Sequence, residues 1–283
     1  MRAGERYGKG WLRFLAGLIV VVGAGSGCVD AKYLVLLQED GSGTISFRCE
    51  VSERGLAQFT ETIGLLSTMR LVNEAEIATS LGLRTDELTP ESIRQLYTRE
   101  SVARMAKDLG ADVELLRYQP VSEQGKQGFR ALYRFANIDR LRLGGDWTYR
   151  FRYQRGTPSS LRLVPPTTLS GYRGASTVSP LDPIIEGLGR MPNADGFVNH
   201  LFSGGQVRLA VQVPGTVVQS TKPVTDGNTV VLADIDADAV PGGSTILQLL
   251  SVKEPLDLLA LYQARIPGVV LVDPAKGMEV RFQ

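Results

Sequence analysis

Few residues of this 283-residue chain could carry out catalytic or metal chemistry. The sequence contains one histidine, His200, and two cysteines, Cys28 and Cys49. A single imidazole excludes any site that needs two, and two thiols cannot complete a four-cysteine zinc site. No G-x-S-x-G nucleophile motif occurs after Cys28. We therefore expect His200 to lie on the surface or at the cap of a helix.

Acidic residues could serve calcium binding or hydrolysis. Asp234, Asp236 and Asp238 alternate along a predicted strand, and calcium prefers carboxylate oxygens. An EF-hand loop that begins at Asp234 would need glycine and glutamate where the chain has Ala239 and Thr245. We therefore expect a solvated strand end and no metal site. A carboxylate-dependent hydrolase remains an alternative, because such a pair of acids is defined by its separation in space.

The most unusual chemical feature is a basic segment that the net charge of +1 conceals. Residues 117–162 hold ten basic and three acidic side chains, and nine of the ten cations are arginine. The preceding residues 28–116 carry a net charge of −6, and the following residues 163–283 carry −3. Because the planar guanidinium fork of arginine fits phosphate and carboxylate groups, this segment could recognise an anion.

The arginines alternate with aromatic and aliphatic residues along predicted strands, which include 129–135 and 147–153. Side chains two residues apart on a strand project from one face about 6.6 Å from each other. If these strands are neighbours, five arginines share one face of one sheet and an aromatic layer lies behind them. In the alternative, the acidic segment 28–116 packs over the strands and neutralises them within the chain. The candidate anion-binding residues are Arg130, Arg134, Arg150, Arg152 and Arg162.

The amino-terminal segment indicates export. Residues 1–13 are basic, 14–29 are uncharged, and the apolar part is shorter than the roughly 20 residues that a spanning helix needs. Small residues at 23–27 follow, which is the order of a secretory signal peptide. An uncleaved anchor and ordinary cleavage after Ala24 or Ser26 are the alternatives. The absence of a global basic charge and the exported address disfavour nucleic acid as a partner.

Cys28 directly follows the small residues Ser26 and Gly27. Here the chain resembles bacterial lipoprotein precursors, in which a cysteine at this place is lipidated and becomes the first residue. The resemblance implies that residues 1–27 are a signal peptide and that Cys28 carries the fatty chains. Two or three chains give lasting membrane attachment, whereas one holds a protein only marginally.

Cys49 could form a disulfide with Cys28, but its surroundings favour another role. Residues 45–51 alternate strictly, and Cys49 shares a strand face with Ile45, Phe47 and Val51. We therefore expect Cys49 to be a small core residue.

The remaining pattern predicts an α+β fold with mostly antiparallel sheet and amphipathic helices packed on one face. Residues 33–38 and 44–51 predict a hairpin, and Leu56, Phe59, Ile63 and Leu66 predict a helix. Asp195 is a candidate cap for a helix that ends near Phe202. We predict two lobes, 28–164 and 183–283, joined by a linker or long loop at 165–182. One continuous sheet that crosses this segment is the alternative.

A second resemblance concerns the exported part. A cysteine is followed by a strand, a turn containing Asp-Gly, a second strand and a helix, and later by a Val-x-Val-Pro-Gly strand end at 211–215 and a hairpin at 225–229. This pattern is similar to uncharacterised envelope lipoproteins, distantly including the LppM type. It implies a binding module of the bacterial cell envelope, on the periplasmic or outer face of a membrane. We thus expect a non-enzymatic, lipid-anchored protein that needs no cofactor and binds an anionic lipid or envelope polymer.

Overall fold

The computed structural model describes residues 29–80, 83–95, 97–123, 125–143, 149–165, 182–251 and 255–283. This part of the chain forms thirteen strands in two sheets and eight α-helices. The strands are β1 (Val29–Leu37), β2 (Gly43–Ser52), β3 (Val113–Glu123), β4 (Lys126–Phe135), β5 (Arg142–Leu143), β6 (Tyr149–Gln154), β7 (Ser159–Val164), β8 (Gln206–Gln212), β9 (Val217–Ser220), β10 (Val224–Thr225), β11 (Thr229–Asp236), β12 (Val269–Val270) and β13 (Met278–Phe282). The helices are α1 (Glu53–Thr68), α2 (Glu74–Ser80), α3 (Pro90–Gln95), α4 (Arg99–Leu109), α5 (Asp182–Gly189), α6 (Ala194–Phe202), α7 (Gly243–Leu250) and α8 (Pro255–Ala264).

Strands β1 and β2 form the predicted hairpin. Tyr33 lies directly opposite Phe47, and their stacked rings have centroids 3.8 Å apart. Cys49 is 1% exposed and is a free thiol, so the prediction of a core residue is confirmed. Burial raises the pKa of that thiol strongly. Strict alternation therefore sorts this hairpin into an apolar face and a polar face.

The larger sheet has eight strands in the order β10-β11-β8-β1-β2-β4-β3, with β12 paired to β11. Only the pair of β1 and β8 is parallel among the described strands. The α+β class with a mostly antiparallel sheet is thus confirmed.

Helices cover one face of the larger sheet. The side chains of Leu56, Phe59, Ile63 and Leu66, which predict α1 by their spacing, are all fully buried. On β4 the hydroxyl of Tyr133 donates a hydrogen bond to the carbonyl oxygen of a residue in α4, at 3.0 Å. Polar side chains of the strands therefore project from the opposite face, which we call the outer face of the eight-stranded sheet.

The smaller sheet has five strands in the order β5-β6-β7-β13-β9. Its buried face carries Phe151, Leu161 and Val280, each fully buried. It is joined to the larger sheet at the β1–β2 turn, where the Tyr153 hydroxyl donates to the Glu39 carbonyl at 2.8 Å. Phe129, Tyr133 and Phe135 of β4 and Phe151 of β6 thus face the core, as their alternation with arginine predicts.

The strand pairing differs from the predicted division into lobes. Strand β1 pairs with β8, and β7 pairs with β13, so strands from both sides of residues 165–182 lie in the same sheets. The pairing corresponds to the alternative of a sheet that continues across this segment. Residues 166–181 themselves lie outside the described part of the chain.

The role of Asp195 also differs from the prediction. Asn193 occupies the N-cap position of α6, and Asp195 lies in its first turn. The Asp195 carboxylate instead accepts a hydrogen bond from the backbone N–H of Ser244 at 2.8 Å, near the start of α7. This hydrogen bond lowers the pKa of Asp195. The side chain stabilises the neighbouring helix because its acceptor oxygen reaches that helix's unpaired N–H groups.

Candidate anion-binding surface

The five predicted arginines do not share one sheet. Strand β4 pairs with β2 and β3 in the eight-stranded sheet, whereas β6 and β7 pair with each other in the five-stranded sheet. The expectation that the five arginines share one face of one sheet is therefore wrong. Two lie on the larger sheet, Arg130 and Arg134, and three on the smaller sheet, Arg150, Arg152 and Arg162.

On the larger sheet, Arg130 belongs to a row of cations across four neighbouring strands. The row continues through Arg48 on β2, Lys32 on β1 and Arg208 on β8. Two acids lie two residues away, where Glu50 is directly opposite Asp30. The outer face of this sheet therefore places a pair of acids beside a row of cations.

Glu50 is the centre of this charged network and is only 2% exposed. Its Oε1 accepts from Arg130 at 3.0 Å, and its Oε2 accepts from Arg48 at 2.5 Å. Burial on its own would raise the pKa of Glu50, but the two arginine hydrogen bonds and charges bring it below the ordinary value. Arg130 is therefore the counter-charge of a buried acid.

Arg134 is also neutralised, by Glu114 on the adjacent strand β3. The carboxylates that pair with the arginines of β4 come from neighbouring strands. The helices of residues 28–116 lie on the other face of the sheet. The alternative of neutralisation within the chain therefore applies to both arginines of β4, but through strand neighbours and not through helices packed over them.

The smaller sheet gathers arginines on the face opposite its buried side chains, which we call the arginine face. Arg142 on β5 is in register with Arg150 on β6, and Arg152 is in register with Arg162 on β7. Arg281 on β13 shares this face, because Glu279, two residues before it, is in register with Arg162. All five side chains are exposed: Arg142, Arg150, Arg152, Arg162 and Arg281.

Two carboxylates partly balance the arginine face. Glu279 accepts from Arg281 at 3.1 Å through Oε1, and its Oε2 lies 3.2 Å from Arg162. The hydrogen bond from Arg281, and after it that from Arg162, lowers the pKa of Glu279. Asp139 lies 3.8 Å from Arg152. Among the residues that the structure describes, five arginines against two acids leave this face with a net positive charge.

Arg142 and Arg150 differ from the other three arginines of this face. Within the described residues, no carboxylate lies within ion-pair distance of either side chain. On its other side Arg150 is in register with Val164, which is 41% exposed. Like charges directly opposite each other on neighbouring strands are destabilising, so this pair is unfavourable without a bound anion.

The sequence interpretation missed Arg142 and Arg281. Each lies between two apolar residues, in Leu141-Arg142-Leu143 and Val280-Arg281-Phe282, which is the same alternation that singled out Arg162. That signal could have placed both on polar strand faces. Their proximity to Arg150 and Arg162 depends on strand order, which local alternation does not contain.

The three aspartates of 234–238 have separate partners. Asp234 lies 3.9 Å from Arg208, Asp236 accepts from the Asp238 N–H, and Asp238 accepts from the Gly204 N–H at 2.7 Å. Among the described residues, no group of three or more His, Cys, Asp or Glu side chains could hold a metal ion. His200 is exposed in the last turn of α6, as expected.

Carboxyl groups with displaced pKa values bear on the hydrolase alternative. In the described ranges, each such group has a pKa below its ordinary value: Asp40, Glu50, Asp195 and Glu279. The general acid of a glycoside hydrolase needs a raised pKa. The displaced carboxyls therefore serve as hydrogen-bond acceptors and ion-pair partners.

The predicted leader 1–27 and Cys28 lie outside the described residues, so lipidation at Cys28 stays a prediction. Among the helices of the described segments, none is both long enough and apolar enough to cross a membrane.

No family model and no curated protein matches the sequence. A similar solved structure is the NMR structure of the folded domain of LppM from Mycobacterium tuberculosis, with 8% identity over 77% of this chain and 88% of that chain. Its TM-score is 0.27. A likeness at this score carries no argument about fold or function, and the resemblance to LppM-type lipoproteins stays an expectation.

Proposed function

We propose that this protein is a lipid-anchored, non-enzymatic protein of the bacterial envelope that binds the anionic surface of a membrane through its arginine face. The observation that supports the proposal is the concentration of five exposed arginines against two carboxylates on one side of the described part of the five-stranded sheet. The envelope location rests on the signal peptide and the lipidated Cys28 that the sequence predicts.

The charge of the arginine face is suited to a lipid surface. A cation close to an anionic leaflet contributes on the order of 1 kcal/mol, and the attraction falls off over a Debye length of about 10 Å at 0.1 M salt. The anchor would hold the domain near the membrane, so a modest attraction is enough to orient it. The eight-stranded sheet is less suited, because Arg48, Arg130 and Arg134 on its outer face are already paired with Glu50, Asp30 and Glu114.

The position of the anchor constrains this arrangement. Cys28 directly precedes Val29, where β1 begins, whereas the five-stranded sheet joins at the opposite end of β1. Nine strand residues span about 30 Å. For the anchor and the arginine face to reach one membrane, the long axis of β1 must lie along the surface.

The test uses the secreted form, residues 28–283 with Cys28→Ala, and vesicles of phosphatidylglycerol and phosphatidylcholine. Arg150→Glu with Arg152→Glu should weaken co-sedimentation about 10-fold or more at low salt, and high salt should remove binding. The matched control is Arg84→Glu with Arg190→Glu, which changes the net charge equally at exposed ion pairs elsewhere. Equal loss in both variants, or no sedimentation of the unsubstituted form at low salt, would contradict the proposal.

The second arm tests the anchor in the intact protein. Radiolabelled palmitate should enter the unsubstituted protein and be absent from Cys28→Ala. Equal labelling of both would show that Cys28 is not the lipidated residue.

A further inference from the structure

The arginine pair Arg142 and Arg150 differs from the other opposed cations of both sheets. Elsewhere in the described chain, each arginine opposite another cation has a carboxylate close by: Glu50 beside Arg130 and Arg48, and Glu279 beside Arg162. Strand register places Arg142 and Arg150 directly opposite each other, with no such acid among the described residues. In the described part of the chain, two positive charges therefore lie together at one exposed place.

We propose that Arg142 and Arg150 form a site for a phosphomonoester group, and that this site selects among the anionic lipids that the proposed function would contact. The inference rests on the proposed function for its biological setting, but it concerns the recognition of a single chemical group.

The geometry suits a phosphate. Directly opposed residues of antiparallel strands have Cα atoms about 4.5–5.5 Å apart, so two guanidinium forks can lie side by side on one face. Each fork can donate two parallel hydrogen bonds, and together they meet the three terminal oxygens of a phosphomonoester.

The charge also selects for the monoester. Two arginines without a carboxylate carry two positive charges, and a phosphomonoester carries about −1.5 to −2 at pH 7. A phosphodiester or a carboxylate carries only one negative charge and would leave one guanidinium unmatched. The rim of the site favours a lipid-borne group, because exposed Val164 lies directly opposite Arg150.

The first measurement is independent of membranes. Glycerol 3-phosphate is titrated into the secreted form, residues 28–283 with Cys28→Ala, and the arginine Nε–Hε signals are followed by NMR. We expect binding that Arg142→Lys or Arg150→Lys weakens about fivefold or more, because lysine keeps the charge but loses the fork. Arg281→Lys is the matched control, since Arg281 is paired with Glu279. An equal effect of all three substitutions would overturn the inference.

Asp146 lies in the connection 144–148, outside the described residues, and Asp146→Asn provides a second control. If the site is free for a ligand, this substitution should change phosphate affinity by less than about twofold. If phosphate binds only after Asp146→Asn, an acid of the chain is the counter-charge and the inference is wrong.

The second measurement separates a lipid headgroup from free phosphate and separates this inference from the proposed function. Vesicles with phosphatidic acid are compared with phosphatidylglycerol vesicles of equal surface charge. Preference for phosphatidic acid that Arg150→Lys abolishes supports a lipid-borne monoester. Phosphate binding without vesicle binding supports the site and contradicts the proposed function. Equal binding to both vesicles without phosphate binding supports the proposed function and overturns the site.

Discussion

At the scale of single residues, both sheets contain a glutamate held between two arginines. Each carboxylate oxygen of Glu50 faces its own arginine, and the same is true of Glu279. The two sites differ in burial, because Glu50 is 2% exposed and the Glu279 side chain is 32% exposed. Only the buried site is expected to contribute strongly to stability, since ion pairs that remain in water contribute little.

Replacing Glu50 tests this difference. Glu50→Gln should lower the free energy of unfolding at pH 7 by about 1–3 kcal/mol, because Arg48 and Arg130 lose a buried charged acceptor. Glu279→Gln is the matched control and should cost less than about 1 kcal/mol. Urea unfolding of both variants measures the difference. Equal costs would contradict the assignment of Glu50 as the structural member.

The difference in stability between the unsubstituted protein and Glu50→Gln should depend on pH. The pKa of Glu50 is lower in the folded chain than in the unfolded one, where it is about 4.3. Its stabilising contribution is therefore complete above the unfolded pKa and is lost as the pH falls through the folded pKa. The stability gap between the unsubstituted protein and Glu50→Gln should narrow over that acidic range.

At the scale of strands, the register of β5, β6 and β7 places two pairs of arginines opposite each other. Opposed like charges on neighbouring strands are destabilising, unless acids offset them. Arg150→Thr should therefore raise the melting temperature at low salt in the absence of anions. Arg162→Thr should not raise it, because this substitution also removes the ion pair between Arg162 and Glu279. Screening by 1 M salt should remove the gain. A lower melting temperature for Arg150→Thr would show that Arg150 has a stabilising partner.

The strands show what local pattern can predict. Alternation within β2 and β4 correctly predicts that Cys49 and Phe129 face the core and that Arg130 and Arg134 do not. It does not identify neighbours, because β7 pairs with β13 more than one hundred residues later in the chain. The sequence interpretation therefore found polar arginines on each strand and placed them wrongly on one sheet. Alternation could have placed Arg142 and Arg281 on polar strand faces, but their proximity to Arg150 and Arg162 depends on strand order.

Capping shows a similar limit. Asp195 has the residue type and position of a helix cap, but its acceptor oxygen binds the N–H of Ser244 in another helix. Residue type predicts that such an oxygen will find unpaired N–H groups near a helix start. Which helix provides them depends on packing between distant segments.

At the scale of the whole molecule, the two sheets divide the charged residues by role. The outer face of the eight-stranded sheet pairs Arg48, Arg130 and Arg134 with Glu50, Asp30 and Glu114, whereas the arginine face, as far as its residues are described, keeps an excess of positive charge. The anchor predicted at Cys28 would leave from the far end of β1. These features together predict a domain that lies along the membrane with its arginine face toward the lipid.

The most direct test of this arrangement measures depth in the intact, lipidated protein on anionic vesicles. A spin label at Ser160→Cys lies on the arginine face, opposite Arg281, and one at Ser46→Cys lies exposed on the outer face of the eight-stranded sheet. The account predicts that the label at 160 is shielded from a water-soluble relaxation agent and loses this shielding in high salt, while the label at 46 stays accessible throughout. A label at 160 that is fully accessible at low salt would contradict it.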